Sequence, residues 1–177
     1  MTLRIDRRGL LLSGAFGLGA LATSGGAMAR TLLTATGFTH GVASGEPGPM
    51  SVLLWTRHVP GHGDASRLTV EVSDTPDFVR VAGGGSTSAR RENDHTARLT
   101  VEGLEPGRWW FYRFIAEDGS MSPVGRTRTL PVGPVERFKL GVFSCANLPY
   151  GWFNAYAHAA ERQDLDLLIH NLSLIHI

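Results

Sequence analysis

Between residues 51 and 130 apolar and polar side chains alternate with a period of two, the spacing of a pleated strand and not of a helix. In Arg67–Ser73, Leu68, Val70 and Val72 share one face and Thr69, Glu71 and Ser73 the other. In Thr96–Glu102, Ala97, Leu99 and Val101 alternate with Arg98, Thr100 and Glu102. Ser51–Arg57 is more apolar and is expected as a central strand with Trp55 inside. Arg108–Glu117 is aromatic on both faces, which predicts cover on both sides, and Met121–Leu130 reads as the last strand. Turn residues punctuate these runs at Gly45-Glu46-Pro47, Pro60-Gly61, Gly83-Gly84-Gly85, Pro106-Gly107 and Asp118-Gly119. The pattern predicts an antiparallel, immunoglobulin- or fibronectin III-like sandwich over residues 36–131. Val70, Leu99, Leu104 and one face of Trp109–Phe114 join Trp55 in its expected core. Leu99→Ala should cost about 2–5 kcal/mol if that side chain is fully buried.

Hydrophobic residues make up 42% of the chain and charged residues 19%, which supports a folded chain and excludes disorder. A net charge of +1 with no Lys/Arg stripe gives no electrostatic case for a nucleic-acid partner. Gly103-Leu104-Glu105-Pro106-Gly107-Arg108-Trp109-Trp110-Phe111-Tyr112 resembles the turn that carries a tyrosine corner. Trp110 stands at the corner position, where its indole N–H can still donate. The aromatic run Trp109–Tyr112 is read as core and interdomain packing, not as a carbohydrate platform.

Residues 130–136 are a Pro/Gly linker. Beyond it the pattern changes. Phe138–Asn147 reads as a buried strand, Gly151–Arg162 as a helix and Asp164–His170 as a second strand, the βαβ opening of an α/β domain over 137–171. Ligand sites in such sheets gather at the carboxyl ends of the strands. The first strand brings Cys145, the only cysteine, to that end. Residue chemistry alone reads Cys145 as a small buried hydrophobe. His40, His95 and His170 read as satisfied structural histidines, and His58, His62 and His158 as solvated or loop residues. Asn154 and Tyr156 read as helix capping and packing.

The N-terminus has the form of an export signal. Arg4, Arg7 and Arg8 precede the uncharged, 14-residue run Gly9–Ala22. That run is shorter than the roughly 20 residues of a membrane span, so no permanent span is expected. Ala27-Met28-Ala29 supplies small residues for cleavage after Ala29. Arg7-Arg8 ahead of Gly9-Leu10-Leu11-Leu12 resembles a twin-arginine signal, with an ordinary secretory signal as the alternative. Residues 1–29 are therefore expected to be a signal peptide read by the Tat export machinery. The mature protein is expected to be a periplasmic or extracellular monomer.

Several motifs in order carry a resemblance to one family. They are Phe38-Thr-His-Gly-Val-Ala-Ser-Gly45-Glu46-Pro47, Ser51-Val-Leu-Leu-Trp55-Thr-Arg57 and Asp94-His95-Thr96. Then come Leu104-Glu-Pro106-Gly, Ser122-Pro123-Val-Gly-Arg126-Thr-Arg128-Thr-Leu-Pro131, Ser144-Cys145-Ala-Asn147 and Gly151-Trp-Phe-Asn154-Ala-Tyr156. Together, from about Phe38 to His170, they resemble the N-terminal part of PhoD-type alkaline phosphatases, which are secreted phosphomonoesterases and phosphodiesterases. The resemblance implies an immunoglobulin-like domain ahead of a metallophosphatase domain, a phosphate ester substrate, and an iron and calcium site. It implies that Cys145 is an iron ligand and makes Asn147 a candidate ligand beside it.

The resemblance breaks after His170. Family members continue there with Leu-Gly-Asp-Tyr, whereas this chain reads Asn171 and then Leu172-Ser-Leu-Ile-His-Ile177. That hexapeptide is the in-frame translation of a common transposase sequencing adapter, CTGTCTCTTATACACATCT. Residues 172–177 are therefore expected to be an artefact, and the chain an N-terminal fragment that is itself inactive. A non-catalytic exported sandwich that binds surface glycans or proteins is the alternative function.

Overall fold

The computed structural model describes residues 37–145 and 154–171. The chain is mainly β, and it divides into two compact units after Leu130.

The first unit holds seven strands: β1 (Phe38–Gly45), β2 (Ser51–His58), β3 (Ala65–Ser73), β4 (Val81–Arg90), β5 (Thr96–Glu102), β6 (Trp109–Ala116) and β7 (Gly125–Arg128). They form two antiparallel sheets in the orders β1-β2-β5 and β4-β3-β6-β7. The inward faces of both sheets meet in one core. Val52 and Leu54 of β2, and Ala97 and Val101 of β5, lie in the same cluster as Leu68, Val70 and Val72 of β3 and Trp110, Tyr112 and Phe114 of β6. The alternation in β3 thus places its expected apolar face inside, and β6, aromatic on both faces, turns Trp110, Tyr112 and Phe114 inward, with Leu104 beside them at 1% exposure.

β2 is central, but its faces are opposite to expectation. Val52, Leu54, Thr56 and His58 point inward, and Trp55 lies half-buried on the other side with Arg57. Both faces of this strand carry apolar side chains, so alternation is silent and the register with β5, Leu54 against Leu99 and Trp55 against Arg98, decides. Leu99 packs against the core while remaining only partly buried. His58, expected in solvent or in a loop, instead ends β2 and is 2% exposed.

The Gly83–Gly85 run is not a turn. It lies inside β4, an edge strand paired with β3, with Val72 opposite Gly83 and Val70 opposite Gly85. A Cβ at Gly83 would stand 3.2 Å from Val101 Cγ1, one at Gly85 would stand 3.1 Å from Leu99 Cδ2, and one at Gly84 would overlap the Val70 carbonyl. Glycine lets this edge close tightly over β5.

The last strand is shorter than expected, with Met121 joined to Ile115 only through an isolated bridge. The second face of β6 is half-buried by arginines and not by another layer. The Arg126 guanidinium lies 3.6 Å from the centre of the Trp109 ring, and Arg113 lies 4.2 Å from that of Phe78 while pairing with Glu71 at 2.7 Å.

The corner turn keeps its anchor through a relay. Trp110 Nε1 donates to Thr129 Oγ1 at 3.4 Å, and Thr129 Oγ1 donates to the Glu105 carbonyl at 2.6 Å. The same oxygen accepts the Arg108 N–H at 3.1 Å. Thr129 is fully buried, so Thr129→Val keeps the shape and strands these partners. A loss of about 2–3 kcal/mol is expected in urea denaturation; an unchanged midpoint would show that the relay contributes nothing.

In the second unit, β8 (Leu140–Ser144) and β9 (Leu167–Asn171) pair in parallel, and helix α1 (Asn154–Glu161) lies between them in sequence. Phe143 of β8 and His170 of β9 flank Tyr156 of α1, with ring centroids 5.2 and 5.7 Å away. Tyr156 therefore packs the helix onto the strands. β8 is shorter and more open than the buried strand expected, with Leu140 at 50% and Val142 at 61% exposure.

Candidate metal centre

Parallel pairing puts the carboxyl ends of β8 and β9 at the same edge. Ser144 is the register partner of Asn171 there, and Cys145 follows directly. Cys145 adopts φ +60°, a left-handed conformation that turns the chain out of the strand. Its side chain is exposed, not the buried hydrophobe that residue chemistry alone suggests, and Sγ lies 3.1 Å from Ser144 Oγ. An exposed thiol at a strand end is open to a ligand or a metal.

The carboxylates lie elsewhere. Asp166 Oδ2 accepts the Lys139 backbone N–H at 2.8 Å, at the amino end of the strand pair. Asp164 pairs with Lys139 Nζ at 2.7 Å and with Arg162 at 2.9 Å. Hydrogen bonds from Arg162 and Lys139 hold its carboxyl far below the usual range. Asp166 stands six register positions, roughly 20 Å of strand, from Cys145, and Asp164 precedes it, so both acids are structural clamps away from the thiol. Among the described residues no group of three or more His, Cys, Asp or Glu side chains could hold a metal. The described part of the edge thus supplies one thiol and no neighbouring carboxylate, too few donors for a two-metal centre, and no hydrolytic step is assigned to it.

Asn147, the other candidate ligand, and the signal residues Arg7, Arg8, Ala27 and Ala29 lie outside the described residues, as do 172–177. His40 is exposed and bonds Thr39 Oγ1 at 2.8 Å. His95 and His170 each bury one ring nitrogen without a partner among the described residues, so neither is the satisfied histidine that the sequence suggests. His158 is exposed, as expected. No helix of the described residues is long and apolar enough to cross a membrane.

Residues 25–131 match the family model "PhoD-like phosphatase, N-terminal domain". The chain is 36% identical over 142 residues to alkaline phosphatase D of Bacillus subtilis (strain 168), covering 75% of this chain and 24% of that protein. A solved structure described as the structure of PhoD superposes with a TM-score of 0.71 at 35% identity, over 75% of this chain and 27% of that one. This chain therefore spans about a quarter of the length of these relatives. With its sandwich matched in both sequence and structure, the chain belongs to the PhoD-like phosphatase family and carries that family's N-terminal domain.

Proposed function

We propose that this chain is the N-terminal part of an exported alkaline phosphatase or phosphodiesterase that hydrolyses phosphate esters. The observation that carries the reading is the sequence of units. A sandwich of this family is followed by a parallel strand pair that ends on an exposed thiol, the arrangement with which an α/β catalytic domain begins. The sheet orders β1-β2-β5 and β4-β3-β6-β7 support a fibronectin III-like assignment for the sandwich. Leu140, Val142, Leu168 and Ile169 are 39–61% exposed, an apolar surface that supports further chain packing on the second unit. Residues 1–29 act as a twin-arginine signal in this proposal.

Iron and calcium belong to the longer protein. There Cys145 would hold iron through its thiolate sulfur. When bound, such metals activate water and neutralise charge on a phosphate ester. The remaining donors come from later strands.

The assay is hydrolysis of an aryl phosphate and a bis-aryl phosphate at alkaline pH with iron and calcium supplied. Purified 30–177 is expected to show no turnover above the blank. The same residues continued through a complete family metallophosphatase domain are expected to be active, and Cys145→Ala should lower that activity by at least about 100-fold. Turnover by 30–177 alone would overturn the fragment reading. An active longer chain indifferent to Cys145→Ala would overturn the ligand role.

A further inference from the structure

We propose that His58 is an acid-sensitive latch: its neutral imidazole pins the start of β1 and the β6–β7 turn to one end of the sandwich, and protonation releases them. This inference is independent of the phosphatase reading.

The geometry is a closed cage around an ionisable ring. His58 ends β2 and is 2% exposed. The Phe38 ring, at the start of β1, covers it with centroids 4.5 Å apart. Gly37 approaches so closely that a Cβ there would lie 2.5 Å from His58 Nε2 and 2.8 Å from Cδ2, and its φ of +81° also favours glycine. The Gly37 carbonyl accepts the Val59 N–H at 2.9 Å, and the His95 carbonyl accepts the His58 N–H at 3.0 Å. Ser120 Oγ, in the β6–β7 turn, lies 3.5 Å from Nε2. Three segments thus converge on one imidazole.

The cage suits only the neutral ring. His58 Nδ1 is buried without a partner among the described residues. Protonation would place a charge there and leave one N–H with no acceptor, the costly case for a buried group. The groups facing the ring do little to offset this. From β1 come an apolar ring and a glycine. From the β6–β7 turn comes Asp118, exposed and already accepting the Ser120 N–H at 2.9 Å. From the turn before β5 comes His95, a second imidazole with its own unpartnered buried Nδ1. Burial lowers the His58 pKa below 6.5, the Asp118 charge opposes that shift, and His95 adds to it.

The sign follows from the depressed value. The unfolded chain binds the proton more tightly, so the contribution of His58 to stability is complete above about pH 6.5 and falls as the solution is acidified through the folded-state pKa. For one proton the folding constant can fall up to about tenfold per pH unit in that window.

The test uses the purified full chain. Proton NMR of the seven histidines should give His58 a titration midpoint below the ordinary histidine value of 6.5. Amides of Gly37, Phe38 and Asp118–Ser120 should broaden before the rest of the sandwich on acidification. The drop in urea midpoint between about pH 7.5 and pH 5 should shrink in His58→Gln, which cannot titrate. A His58 midpoint at or above 6.5, uniform broadening across both sheets, or an undiminished drop in His58→Gln would overturn the latch. If His58→Gln does not fold, the wild-type titration and the order of broadening still decide.

Discussion

Phe114→Ala is expected to destabilise the sandwich by about 3–5 kcal/mol. Phe114 is fully buried at the centre of β6, register partner to Val70 of β3, with its neighbours Tyr112 and Ala116 also inside. The residues around it come from both sheets, so a truncation there cannot be healed by one strand moving. Its backbone N–H also donates to Ser122 Oγ at 2.9 Å, and the Ser122 N–H returns to the Phe114 carbonyl, which holds the turn before β7 in place. Domains of this size are stable by about 5–15 kcal/mol, so this one change removes a large share of the total. Urea denaturation of wild type and variant measures it. Leu99→Ala is the control. Leu99 is only partly buried against the same core, so its truncation should cost about 1–2 kcal/mol, less than full burial would give. Equal losses at the two positions would show that burial does not set the cost.

Replacing Arg7 and Arg8 together by lysine is expected to abolish export of a protein carrying this N-terminus. The Tat pathway reads the guanidinium pair and not positive charge alone, and the planar fork of arginine has no counterpart in lysine. Cell fractionation measures the outcome. Mature protein, cleaved after Ala29, should leave the cytoplasm with the arginine pair and remain there as precursor with the lysine pair. Export of the lysine variant at the wild-type level would return the signal to the ordinary secretory class.

The inner face of β3 was legible in the sequence, because one of its faces is apolar and the other polar. The pleat allows only two assignments, and burial selects one. The two strands β8 and β9, which pair in parallel, were legible as apolar runs on either side of a helical stretch. Other features needed atoms far apart in the chain. Trp55 and Leu54 are equally apolar, and only the pairing of β2 with β1 and β5 sends Leu54 inward. Gly83–Gly85 has turn composition, and only the proximity of Leu99, Val101 and Leu104 makes it a strand where side chains do not fit. His58 is polar by type and buried by position, because Gly37, Phe38 and Ser120 close over it. Local alternation determined which segments are strands. Which face of β2 and of β6 is inside, which glycines are close contacts and which histidine is caged were decided by contacts between sheets, whose partners are separated by tens of residues and leave no periodic trace in the sequence.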